Sequence, residues 1–277
     1  MPYEAFDIFC CLFPFLMTTL GAAAVFFCPR GMHASAQRIF FGFAGGVMIA
    51  ASVWSLLLPA LDAADTLGLP GWLCASVGVI GGSAILTVSD CIAKRLQPHR
   101  DSRNDNTGHS SRGSAFLLEL AMTLHNIPEG MAVGLAVAYA ADVMSHVHSS
   151  TFVSFESTEP SVTSALVLAL GIGIQNFPEG TAVSLPRYTA GISRPRAFLH
   201  GMISGIVEPI AAVLTASLFR NAHVVMPWML SFAAGAMLHA ASSELIPAAA
   251  DDNSISVGTI GVIVGFVLMM ALDVGLG

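Results

Sequence analysis

The chain has 277 residues, of which 55% are hydrophobic and only 10% are charged, and its mean hydropathy is +0.73. Because soluble domains carry about 25% charged residues, this composition excludes an ordinary water-soluble domain and predicts a polytopic membrane protein. The formal net charge is −7. No basic stripe with interleaved aromatic residues occurs, so we expect no nucleic-acid partner.

Apolar windows of about twenty residues predict an all-α membrane protein with eight transmembrane helices. In chain order the predicted spans cover residues 6–28, 38–61, 72–93, 114–140, 161–185, 196–219, 226–247 and 255–275. Since most connections are short, we expect residues 1–277 to form a single transmembrane domain. The longer connections are the polar linker 94–113 and the stretch 141–160.

The distribution of basic residues predicts the orientation. They concentrate in the first, third and fifth linkers, and the third linker (94–113) alone carries Lys94, Arg95, Arg100, Arg103 and Arg112. The linkers on the opposite side contain Arg220 as their one basic residue. Basic loops stay in the cytoplasm, so linker 94–113 is predicted to be cytoplasmic and both termini are predicted to be extracytoplasmic.

One short motif occurs twice inside the predicted spans. Residues 125–130 read His-Asn-Ile-Pro-Glu-Gly, and residues 175–180 read Gln-Asn-Phe-Pro-Glu-Gly. A charged side chain at the bilayer centre costs about 2.5–3.5 kcal/mol on insertion scales. Glu129 and Glu179 therefore need a compensating partner.

Each motif places potential ligands beside its glutamate. His125 lies four residues before Glu129, so the two share a helix face, and Gln175 bears the same relation to Glu179. An imidazole nitrogen with a carboxylate oxygen suits zinc and its first-row neighbours. The motif prolines lack an N–H and free the carbonyl four residues earlier, and inside lipid that oxygen must find a partner in protein, water or an ion.

A third intramembrane carboxylate, Glu208, precedes Pro209 in the sixth predicted span. No Lys or Arg lies deep in any predicted span to neutralise these carboxylates. Either a cation lies among them or some are protonated. The alternative is that the three glutamates only join helices through hydrogen bonds.

Other polar or soft residues mark a candidate ion path. Met48 in span two is a candidate soft ligand, with simple packing as its alternative. Asp90 and Glu244 lie near the cytoplasmic ends of spans three and seven, where they can receive a departing ion or act as ordinary helix-end carboxylates. His200 and His239 are intramembrane, and for them helix-to-helix hydrogen bonds compete with metal binding.

A second internal similarity predicts inverted repeats. Span two opens Phe-Ala-Gly-Gly-Val-Met at Phe43, and span seven opens Phe-Ala-Ala-Gly-Ala-Met at Phe232; both close near a proline followed by alanine. In the predicted topology these spans run in opposite directions, as do the two motif-bearing spans. Inverted repeats of this kind place a substrate site near the membrane midplane.

The paired motifs resemble the signature of the ZIP (Zrt/Irt-like) divalent metal transporters, and the segments at Phe43 and Glu244 resemble its GufA-like branch. This resemblance implies a midmembrane two-metal centre whose ligands are His125, Asn126, Glu129, Gln175, Asn176 and Glu179, with Glu208 and Met48 beside them. It implies release positions at Asp90 and Glu244. Some members have Asp in place of Asn176, and losing that charge should weaken or reshape the second metal position.

We therefore expect a transporter and not an enzyme, with no catalytic cofactor. Its expected substrate is Zn²⁺, with Fe²⁺, Mn²⁺ and Cd²⁺ as alternatives, and it is expected to move the ion toward the cytoplasm by alternating access. Its expected partners are divalent metal ions and membrane lipid, and the resemblance implies a homodimer. We expect a multi-pass integral protein of the plasma (inner) membrane, with an organelle membrane as the alternative.

Two other functions are alternatives. An intramembrane zinc metalloenzyme would need His-Glu-x-x-His, and no His in this chain is followed by Glu. A passive divalent cation channel would use the same ligands, but tight ligation opposes high flux because conducted ions must leave quickly.

Overall fold

The computed structural model describes residues 3–27, 33–96, 123–124, 126–141, 159–219, 223–250 and 257–276. Within these ranges the chain is helical between short turns, and no strand occurs. Helices satisfy their own backbone donors and acceptors, which is what lipid demands of an apolar chain. The predicted all-α fold class is therefore confirmed for the described residues.

The helices follow one another along the chain with short breaks. We label them α1 (Tyr3–Ala22), α2 (Ala34–Ala51), α3 (Leu58–Thr66), α4 (Gly71–Leu96), α5 (126–141), α6 (Glu159–Thr189), α7 (Arg194–Gly205), α8 (Val207–Phe219), α9 (Met226–Ala240), α10 (Ile246–Ala249) and α11 (Val257–Leu276).

Six helical segments of the described chain are long and apolar enough to cross a membrane. They are Ala5–Phe26, Ala34–Thr66, Gly71–Ser89, Arg194–Phe219, Met226–Ala249 and Val257–Leu276. They correspond to six of the eight predicted spans. The two motif-bearing spans fall on α5 and α6, where membrane crossing stays a prediction, as does the position of both termini. His125 lies outside the described residues.

Among the described helices, the three most extensive contacts join α2 to α11, α4 to α9, and α1 to α6. Their backbones approach closely because small residues line the contacts. A Cβ added at Gly46 would overlap the carbonyl oxygen of Val262, and one added at Gly265 would overlap that of Phe43. Close approach through small residues is the usual way in which membrane helices gain contact energy, since lipid offers no hydrophobic drive between them.

The two similar segments share a structural feature that the sequence comparison alone did not predict. A π-helical turn, Ser52–Leu57, joins α2 to α3, and another, Ala241–Leu245, joins α9 to α10. A proline follows each turn, at Pro59 and Pro247. Proline cannot donate to the helical ladder. At the end of each turn a backbone N–H bonds the carbonyl five residues earlier, that of Leu58 to Val53 and that of Ile246 to Ala241. The presence of a π turn at the same place in both segments supports the predicted internal repeat.

Candidate metal centre

Side chains from three helices meet in a polar cluster inside the apolar bundle. α5 contributes Glu129, α6 contributes Gln175, Asn176 and Glu179, and α8 contributes Glu208. All five are at most 1% exposed. The motif prolines lie within these helices, with Pro178 inside α6. We call these five side chains the polar centre.

Amide nitrogens bind two of the three carboxylates in the polar centre. Gln175 donates from Nε2 to Oε1 of Glu129 at 2.8 Å. Asn176 donates from Nδ2 to Oε2 of Glu208 at 2.8 Å. Both bonds cross between helices, so the second motif on α6 holds one carboxylate on α5 and another on α8. Hydrogen bonds to a charged acceptor contribute about 1.5–3 kcal/mol each.

The carboxylates of the polar centre also act on one another. Glu129 lies within electrostatic range of Glu208, and Glu179 lies within range of Glu129. Glu208 in turn lies within range of Glu179. No Lys or Arg occurs on α5, on α8, or on α6 before Arg187. Three buried carboxylates this close together repel one another when ionised, and a proton or a cation among them would relieve that repulsion.

Several buried oxygen atoms lack a donor within the described chain. Both carboxylate oxygens of Glu179 lack one, and so do the amide oxygens of Asn126, Gln175 and Asn176. The amide nitrogens, in contrast, are engaged, since that of Asn126 donates to the carbonyl of Ser204 at 3.0 Å. A buried oxygen without a donor carries a desolvation cost of about 1–3 kcal/mol. A cation is a partner that carboxylate and amide oxygens can share.

The described residues contain no group of three His, Cys, Asp or Glu side chains positioned to hold a metal ion by themselves. An ion in the polar centre can combine its carboxylates with amide oxygens or with residues beyond the described ranges. His125 is one such residue. A mixed set of oxygen donors with an imidazole fits several divalent metals.

The remaining predicted site residues lie on other elements of the bundle. Met48 is fully buried on α2, a helix that also packs against α6, and its carbonyl accepts from the Ser52 hydroxyl at 2.7 Å. Glu244 lies in the second π turn and within electrostatic range of Glu179. Asp90 lies on α4, and its side chain falls outside the described part of the chain.

Two residues that the sequence did not single out contact predicted site residues. The Thr18 hydroxyl on α1 lies 2.8 Å from Oε1 of Glu208, and Ser204 on α7 accepts from Asn126. The group on Thr18 is an isolated hydroxyl in an apolar helix and the group on Ser204 is its backbone carbonyl, so no sequence signal marked either residue. His239 lies 3.5 Å from the Thr87 hydroxyl, in agreement with the helix-to-helix interpretation.

Comparison with known proteins gives a family match and several similar proteins. Residues 155–273 match the family model described as ZIP zinc transporter. The chain is 35% identical over 339 residues to zinc transporter ZIP11 of Bos taurus, with 94% of each chain covered. It is 34% identical over 265 residues to zinc transporter GufA of Myxococcus xanthus, again with 94% of each chain covered. It is 35% identical over 268 residues to zinc transporter ZIPB of Bordetella bronchiseptica, covering 95% of this chain and 79% of that one.

The chain belongs to the ZIP zinc transporter family. Membership of the ZIP family confirms the resemblance found in the paired motifs, and the match to GufA agrees with the predicted branch. It also confirms the prediction of an integral membrane transporter of divalent metal and not an enzyme.

Proposed function

We propose that this ZIP-family protein moves Zn²⁺ toward the cytoplasm by alternating access, with Fe²⁺, Mn²⁺ and Cd²⁺ as further candidate substrates. The relatives named above are all zinc transporters by name. The chemistry of the polar centre supports the same cargo, since it offers carboxylate and amide oxygens to a divalent ion. The metal is the transported substrate, and the proposal includes no catalytic cofactor.

The proposal depends chiefly on Glu179. Its carboxylate is 1% exposed, and neither oxygen has a donor within the described chain. Glu129 lies close by, with one oxygen bound by Gln175. We place the primary ion between these two glutamates, with the free amide oxygen of Gln175 and the imidazole of His125 completing its ligands. Asn126, Asn176 and Glu208 surround the adjacent position, and Met48 lines the centre.

The route of release is proposed from the charge arrangement. Glu244 lies within electrostatic range of Glu179, and in the predicted topology it lies toward the cytoplasmic end of its span. An ion leaving Glu179 therefore meets a second carboxylate before it reaches the cytoplasm. Asp90 is the other proposed release residue, from its position on α4.

Alternating access is proposed from the internal repeat. The two similar segments carry matching π turns, Ser52–Leu57 and Ala241–Leu245. Repeat-built transporters typically expose a central site by moving one group of helices against another. The proposal includes eight spans with extracytoplasmic termini, a homodimer, and location in a plasma (inner) membrane.

Zinc uptake into proteoliposomes tests the function. Uptake is measured across a range of zinc concentrations, with Fe²⁺, Mn²⁺ or Cd²⁺ as the competing metal and with the pH gradient controlled. We expect saturable uptake in the parent protein and none in Glu129→Ala or Glu179→Ala, because each variant removes ligand charge. The matched control is Asp65→Asn, which removes a carboxylate from an exposed position on α3, and it should transport normally.

Two results would contradict the proposal. Uptake that rises linearly without saturation would indicate a channel, not a carrier. Normal uptake by correctly folded Glu179→Ala would show that the cargo does not bind in the polar centre.

A further inference from the structure

Helix α1 brings a polar side chain, that of Thr18, into contact with the polar centre. Thr18 is 1% exposed, and its hydroxyl oxygen lies 2.8 Å from Oε1 of Glu208 and 3.2 Å from the carbonyl oxygen of Pro14. A threonine hydroxyl has a single proton to donate. The shorter distance and the charged acceptor favour donation to Glu208, because charge-assisted hydrogen bonds are shorter and stronger than neutral ones.

Glu208 is consequently bound at both ends of its carboxylate. Thr18 on α1 lies at Oε1, and Asn176 on α6 donates to Oε2. Glu179 differs in this respect, since neither of its oxygens has a donor within the described chain. The carboxylate of Glu208 is thus held in one orientation by donors from two separate helices.

Close helix packing fixes Thr18 itself. A Cβ added at Gly205 on α7 would lie 2.8 Å from Cγ2 of Thr18 and 3.1 Å from Oε1 of Glu208. A Cβ added at Gly180, the last residue of the second motif, would overlap the carbonyl oxygen of Thr18. The two glycines allow α6 and α7 to approach α1, and the methyl group of Thr18 fills the space beside Gly205. This packing directs the hydroxyl toward Glu208.

We propose that Thr18 is a positioning residue for the transported metal: it holds the Glu208 carboxylate in the orientation in which that group acts on the ion. The inference rests on the proposed function. Groups that hold a ligand in place reduce the ordering that binding requires, and replacing such outer partners costs about 10–100-fold in metal affinity in other proteins.

Equilibrium zinc binding to the purified full-length protein in detergent tests the inference. Thr18→Val keeps the branched shape but loses the hydroxyl, so we expect its zinc Kd to rise by about 10–100-fold. Thr18→Ser keeps the hydroxyl and should stay close to the parent. The matched control is Thr19→Val, because the Thr19 hydroxyl is buried yet has no partner among the described residues; its Kd should not change.

A double-mutant cycle separates positioning from general packing. Glu208→Gln removes the charge that Thr18 orients, so adding Thr18→Val to it should raise the Kd no further. Melting temperatures measured without zinc show whether each variant is folded. If Thr18→Val does not fold, Thr18→Ala takes its place in the cycle, since it removes the hydroxyl and leaves more room.

The outcomes distinguish this inference from the function on which it rests. If the parent protein binds zinc and Thr18→Val binds it as tightly as Thr19→Val, Thr18 has no positioning role. An equal loss in the parent and Glu208→Gln backgrounds would also overturn it, since the effect would then not pass through Glu208. A parent protein that binds no zinc would instead overturn the proposed function, and the inference with it.

Discussion

The substitution Asn176→Asp would change the electrostatics of the polar centre most directly. Asn176 donates from Nδ2 to Oε2 of Glu208 at 2.8 Å, and it also interacts with Glu129. Aspartate has nearly the same shape but presents an acceptor where the amide presents a donor. The variant therefore replaces a hydrogen bond with two facing carboxylates, at the position where some ZIP proteins carry Asp.

The electrostatic cost of the substitution follows from the observed distance between Asn176 and Glu208. Two unit charges 2.8 Å apart repel by about 6 kcal/mol at an effective dielectric constant of about 20. The lost charge-assisted hydrogen bond adds about 1.5–3 kcal/mol. Without metal, the variant must take up a proton or lose stability. With zinc, a divalent ion between the introduced carboxylate and Glu208 compensates both charges, so binding at the second position should be tighter.

The assay is the melting temperature of the purified protein in detergent, measured with and without zinc. A ligand that binds only the folded state stabilises it by about 2.7 kcal/mol at 100 times its Kd, so an added metal position should enlarge the zinc-dependent shift. We expect Asn176→Asp to melt lower than the parent without zinc and to gain more from zinc. An equal zinc-dependent shift in both proteins would show that Asn176 does not face the metal, and the second metal position would be abandoned for this chain.

Two further predictions follow from the packing and from the ligand chemistry. Gly180→Ala should lower the melting temperature, because its Cβ would overlap the carbonyl oxygen of Thr18 and overpacking costs about 1–3 kcal/mol. Gly275→Ala is the control, since nothing lies within 4 Å of a Cβ there. Equal melting temperatures of the two variants would contradict the close contact of α6 with α1. Zinc affinity should fall as the external pH is lowered from about 7.5 to about 5, because protons compete with the metal for the carboxylates and for His125. This range includes the pKa of an imidazole in water, about 6.5. A binding titration that gives the same Kd across the range would contradict ligation by His125.

The sequence predicted the helices well where composition alone determines them. Six predicted spans coincide with segments that are long and apolar enough to cross a membrane. The helices α5 and α6 are not among these six. α6 contains Gln175, Asn176 and Glu179 in its apolar stretch, so the residues that build the site also weaken the apolar signal of the helix that carries it.

The candidate site was predictable within each helix but not between helices. Spacing places Gln175 and Glu179 on one face of α6, yet it does not show that Gln175 donates to Glu129 on another helix. The same limit applies to Thr18, which is 190 residues from Glu208 along the chain. Such pairs depend on how the helices pack, and that packing depends on small residues whose spacing alone does not name their partners.

The two π turns are a further feature that the sequence did not predict. The proline-containing closes of the two similar segments were visible in the sequence, and they supported the prediction of a repeat. In the wider turn before each proline an N–H bonds the carbonyl five residues earlier instead of four, and the spacing of residues does not specify this choice. The structure shows the same solution in both segments, at Ser52–Leu57 and at Ala241–Leu245.

The central claim is that the transported ion binds between Glu129 and Glu179. An anomalous difference map, recorded at the zinc absorption edge from crystals grown with zinc, tests it most directly. The account predicts a peak about 2.0–2.2 Å from a carboxylate oxygen of Glu179, the usual zinc–oxygen distance, and a crystal of Glu179→Ala should lose that peak. A peak bound elsewhere in the bundle, with the Glu179 carboxylate free of metal, would contradict the account.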